Sequence, residues 1–136
     1  MQDRVNQLTM RQVLLAAHAA LVLLEARYRL HHTSIDQMRR WAIATGKRSG
    51  ARADLLLAFR RATARLGGTC LVRALALQRF LSRHGHPSQL RIGVGRTEKG
   101  FEAHAWLVDG EEILEGDGRE AGEFTLLAAW PTEELS

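Results

Sequence analysis

Apolar residues recur at helical spacing up to Arg83 and then at every second position from Leu90 to Val94, with Gly85 and Pro87 between the two patterns. A chain whose period changes once from 3.6 to 2 is restricted to helices followed by strands, an α+β arrangement. Thr9 is placed to cap a helix reaching about Leu30, with Val13, Ala17, Ala20, Leu24 and Tyr28 on one stripe. Because Leu14, Leu15, Leu21, Val22 and Leu23 make its other faces nearly as apolar, this helix is expected to be central in the core or covered by another protein. Ser34-Ile35-Asp36-Gln37 fits a capping box for a second helix ending near Gly46. A third runs from about Ala51 to Leu66 on Leu55, Leu56, Phe59 and Ala62, and Gly67-Gly68 ends it.

The fourth helical pattern, Leu71 to Arg83, starts directly after Thr69-Cys70, and Cys70 is the only cysteine of the chain. A helix N-terminus presents unpaired N–H groups and partial positive charge, which suits a nucleophile and a developing oxyanion. Ala74, Leu77 and Leu81 share its face, so a buried helix presents its first residue to a site. After Pro87 come a strand over Leu90 to Gly95, a turn at Thr97 to Gly100, and strands over Phe101 to Val108 and Glu111 to Leu114. Asp109-Gly110 reads as a two-residue hairpin loop, and a last strand falls around Phe124 to Leu127. The expected sheet is an antiparallel meander packed on the Cys70 helix.

His104 lies within the second strand. A loop at Asp109-Gly110 pairs Val108 with Glu111, sets His104 opposite Glu115, and leaves Asp117 one diagonal step away on the same face. A thiol enzyme needs a nucleophile, a base that takes its proton, and a carboxylate that orients the base. Cys70, His104, and either Asp117 or Glu115 supply that set, with Asp117 ranked first. Asp109, at the hairpin tip, is a turn residue.

Composition narrows the class. At 136 residues the chain is one domain, 1–66 helical and 67–130 the catalytic core, and a single cysteine allows no internal disulfide. Met1 to Met10 is polar and unlike a secretory signal, and the longest apolar tract, Val13 to Leu24, spans 12 residues, short of the about 18 to 20 a membrane helix needs. No membrane association and a cytoplasmic location are expected. Residues 1–96 carry 17 basic and four acidic side chains, whereas 97–136 carry two basic and 11 acidic. Without aromatics among the arginines or a zinc-finger or RNP pattern, this asymmetry does not indicate nucleic-acid binding. A zinc site from Cys70, His104 and one of His31, His32, His84 or His86 lacks the close ligand pairs such sites use, so no metal or cofactor is expected.

Cys70-Leu71-Val72-Arg73-Ala74-Leu75, Leu90-Arg91-Ile92-Gly93-Val94 and Glu102-Ala103-His104-Ala105-Trp106-Leu107 resemble the lasso-peptide biosynthesis B2 proteins, transglutaminase-like, papain-related cysteine peptidases. The likeness covers residues 67–130, including Gly116-Asp117 and Leu126 to Trp130, and reaches the N-terminal helices only in general character. It implies removal of the leader from a ribosomally made precursor peptide through a Cys70 thioester, with His104 as base and then acid and Asp117 as the best match to the family's carboxylate. It also implies a separate leader-recognition (B1-type) protein, for which the apolar first helix and the basic half are candidate docking surfaces, and an ATP-dependent cyclase acting afterwards. Nothing before Cys70 resembles a recognition domain, so the peptidase-only form is expected.

Overall fold

A computed structural model of the chain describes residues 9–120, 122 and 124–132. The polar stretch through residue 8, read above as no secretory signal, otherwise lies outside the described residues. Helices α1 (Met10–His32), α2 (Ile35–Ile43), α3 (Arg52–Leu66) and α4 (Cys70–Arg83) precede strands β1 (Gln89–Thr97), β2 (Gly100–Asp109), β3 (Glu112–Glu115) and β4 (Thr125–Pro131). The change of period thus marks the boundary between helices and sheet.

Local chemistry explains the helix starts. Thr9 Oγ1 accepts from the Gln12 N–H at 3.1 Å while the Gln12 side chain accepts from the Thr9 N–H at 2.9 Å. Ser34 and Gln37 make the same reciprocal pair, the capping box read in the sequence. Thr69 caps α4 by accepting the Val72 N–H at 3.3 Å, which fixes Cys70 as the first helical residue.

The centre of the core is α4, not α1. Nine of the 14 residues of α4 are buried, against Ala19, Val22, Leu23 and Ala26 in the 23-residue α1. Helices α1, α2 and α3 pack on one side of α4 and the sheet packs on the other. Phe80, Leu75, Leu77 and Leu81 are fully enclosed between these layers, each contributing about 1.5–3 kcal/mol of transfer free energy. The expected all-round burial of α1 fails because α4 already occupies the position between two layers, so α1 has only one side to cover.

The sheet order is β3-β2-β1-β4 with antiparallel neighbours, so the expected meander is broken at its last strand. From Glu115 at one edge, the chain must cross the sheet before β4 can pair with β1 at the other edge. Glu120 and Phe124, from the segment between β3 and β4, lie against the face that carries Gly93, His104 and Trp106, while Leu90, Ile92, Ala105 and Leu107 at alternate positions join the helix-side core.

The hairpin register also departs from the sequence reading. Asp109 pairs with Glu112, so the loop is Gly110-Glu111, with Gly110 at φ 61° as a type II′ turn requires at its first central position. An irregularity between Leu107 and Val108 then sets Leu107 opposite Glu115. Glu115 therefore does not face His104. The irregularity moves it to the helix-side face, because a one-residue slip exchanges the two faces of a strand.

Candidate active site

Cys70 opens α4, half-buried at the margin of the core, and its thiol makes no hydrogen bond with a described residue. Arg73, one turn on, binds the loop before it: its guanidinium donates to the Gly68 carbonyl and lies 3.6 Å from the Glu115 carboxylate. Arg27 of α1 donates to the Leu66 carbonyl at 2.9 Å. The Gly67-Gly68-Thr69 turn is therefore tied to α1, α4 and β3, and Glu115 acts as a partner of Arg73 instead of His104. Burial pushes the Glu115 carboxyl up from its ordinary range, and the nearby Arg73 charge opposes that rise only in part.

His104 is buried in an aromatic stack. Its ring lies 5.5 Å from Trp106 and 4.8 Å from Phe124, nearly parallel to both. Gly93, its partner on β1, keeps this stack closed: a Cβ there would lie 3.0 Å from Phe124 Cβ and from the Trp106 ring. The His104 Nε2 donates to Glu120 Oε2 at 2.6 Å, with side-chain exposures of 5% and 1%. Asp117 Oδ1 is 3.9 Å from the same nitrogen, beyond hydrogen-bond range. Among the described residues no hydrogen bond joins His104 to Cys70, and none is made by the His104 Nδ1. The structure thus brings His104 together with Glu120, holds Asp117 nearby, and gives Glu115 to Arg73.

Glu120 follows from a tight turn. Gly116-Asp117-Gly118 reverses the chain, with Gly118 at φ 92°, so that the Glu120 carboxylate accepts the backbone N–H groups of Asp117 at 2.8 Å and Gly118 at 2.9 Å. A Cβ at Gly116 would lie 2.7 Å from that carboxylate, so the chain passes here only as glycine. Two N–H donors and the imidazole N–H replace the water that a buried carboxylate loses.

Asp117 is engaged otherwise. Arg119 donates to its carboxylate at 2.6 and 2.9 Å and reaches Glu102 on β2 through a two-toothed contact at 2.8 and 3.0 Å. The Arg119 guanidinium holds the Asp117 carboxyl well below the usual carboxylate range and lowers Glu102 as well. Arg119 thus fastens the crossing loop to the strand two residues before His104. Sequence reasoning missed Glu120 because it sought the carboxylate by strand register. The glycine pair around Asp117 was the available signal, since a turn there returns residue 120 to the strand.

The His104, Asp117 and Glu120 donor atoms lie within 4.8 Å of one another, the only such group among the described residues. Arg119 and the backbone N–H groups already occupy the two carboxylates, which makes this a hydrogen-bonded set. Of the other histidines considered for zinc, three bind carbonyls: His32 to Tyr28, His84 to Phe80, and His86 to Gly50. Among the described residues no helix is long and apolar enough to cross a membrane.

The family model of the transglutaminase-like superfamily matches residues 10–129, from the first turn of α1 into β4. The chain belongs to that superfamily. No curated protein and no solved structure matches it. The transglutaminase-like assignment agrees with the α+β architecture of a cysteine-led helix on an antiparallel sheet, and it brings a superfamily whose catalysis is generally cysteine-based and which includes peptidases and acyltransferases.

Proposed function

We propose that this chain is a cysteine peptidase that removes the leader of a lasso-peptide precursor, with Cys70 as nucleophile and His104 as base. The observation that carries the chemistry is the buried His104–Glu120 hydrogen bond at 2.6 Å, which fixes one ring nitrogen and leaves the other for a proton. In this scheme Nδ1 takes the Cys70 proton as sulfur attacks the scissile carbonyl, then returns it to the leaving amine. Water next attacks the thioester and regenerates the thiol. Glu120 orients the ring and stabilises its charged form, the role that the resemblance gives to Asp117. Asp117 then acts through Arg119 and the turn. The thiol and Nδ1 must approach each other for the first step, as catalytic hydrogen bonds commonly tighten only with substrate present.

The substrate and partners rest on the resemblance of the Cys70 and His104 segments to the B2 proteins: a leader-bearing precursor, a separate leader-recognition protein that delivers it, and a cyclase that takes the product. Incubation of the chain with precursor and recognition protein, read by mass spectrometry, tests this. Expected are a free leader and a core peptide whose masses sum to the precursor plus one water, and neither with Cys70→Ala. Cleavage by Cys70→Ala would overturn the mechanism. Leader captured on an added amine would reassign the chain to acyl transfer, and unchanged precursor bound to the chain would reduce it to a scaffold.

A further inference from the structure

We propose that the outer face of α1 is a seam for one α-helix of a protein partner, a helix with apolar residues at heptad spacing and acidic residues on its flank. Met10, Leu14, Ala17, Leu21, Leu24 and Tyr28 follow one another at steps of four and three, the 3.5-residue repeat of a coiled-coil seam. All six are exposed, with Leu14 at 61%, Leu21 at 66% and Tyr28 at 64%, while Ala19, Val22, Leu23 and Ala26 on the opposite side fill the core. Isolated exposed leucines are ordinary on any surface, but a continuous row at this spacing along a 23-residue helix is not. A facing helix with the same repeat is the shape that fits it.

Beside the seam lies a groove of about 650 Å³ between α1 and α3, lined by Val13, Ala17 and Leu24 on one side and Arg61, Ala64 and Arg65 on the other. Its alanines allow a second helix backbone to approach closely. Arg61 and Arg65 line its rim and make no ion pair or side-chain hydrogen bond with a described residue. Their charge selects a glutamate- or aspartate-flanked helix and disfavours a second copy of this basic face. The inference stands apart from the chemistry of Cys70, and its test reads binding alone.

Two fluorescein-labelled 21-residue peptides serve as probes, each of three heptads with leucine at the seam positions, one flanked by glutamate and one by lysine. They are titrated at nanomolar concentration with the full chain and read by anisotropy. The glutamate peptide should bind more tightly than the lysine peptide. Arg61→Glu with Arg65→Glu should weaken the glutamate peptide and strengthen the lysine peptide, each by about three- to ten-fold, the range for two exposed ion pairs. Leu21→Asp should abolish binding of both while its thermal melt matches the parent. Equal binding of the two peptides, binding to neither, or no effect of Leu21→Asp would overturn the proposal. A dimer in sedimentation that Leu21→Asp dissolves would give the face to a second copy instead, and uptake by phosphatidylglycerol vesicles without peptide binding would give it to a lipid surface.

Discussion

At the scale of single residues, His104 is defined by what surrounds its ring. The carboxylate bonded to it is Glu120, 16 residues further along, whereas Asp117 spends its oxygens on Arg119. If Glu120 orients the imidazole, Glu120→Gln should lower kcat by about 10²- to 10⁴-fold, because an amide partner permits the wrong tautomer. Asp117→Asn should cost less than Glu120→Gln, since it acts through the turn. Steady-state kinetics on the two variants decides the order, and a larger loss in Asp117→Asn would return the role to Asp117. Glu115 gives a separate test. Its carboxyl is raised by burial above the ordinary 4.5, so the folded state holds the proton longer than the unfolded chain does. Stability from this group is therefore complete below about pH 4 and is lost as pH rises through the raised value. Melting temperatures of Glu115→Gln relative to the parent should increase between pH 4 and pH 7; a constant difference would contradict the shift.

At the scale of elements, capping chemistry was legible because it is local. Thr9 and Ser34 cap helices where the sequence reads a cap, Thr69 caps α4 without having been read as one, and each side chain accepts the N–H three residues on. Thr69→Ala should destabilise the chain by about 1 kcal/mol, measured by denaturant unfolding, and loosen the turn that holds Cys70. The hairpin was legible in kind but not in register. Asp109 and Glu112 are both held by Arg52 of α3, at 2.5 and 2.7 Å, and this distant contact accompanies the Gly110-Glu111 loop in place of Asp109-Gly110. The irregularity at Leu107 then moves Glu115 to the other face. Neither step leaves a mark in the alternation of apolar residues, and together they decide which carboxylate meets the histidine.

At the scale of the whole molecule, the distinction between α1 and α4 is one of layers. Both are apolar on most faces, but α4 alone is enclosed by helices and sheet. Leu81→Ala should therefore cost about 2–5 kcal/mol of unfolding free energy, while Leu21→Ala should change it by less than about 0.5 kcal/mol. Similar losses in both would mean that α1 is covered in the isolated chain. By itself the sequence determined the order of helices and strands, the helix starts, and Cys70 at the head of a buried helix, because periodicity, caps and turns act over a few residues. Only the tertiary structure decided which helix is central, which edge β4 joins, and that the resulting crossing loop brings Glu120 to His104. Those outcomes depend on which surfaces compete for the same buried space, and that competition is settled only when the layers pack.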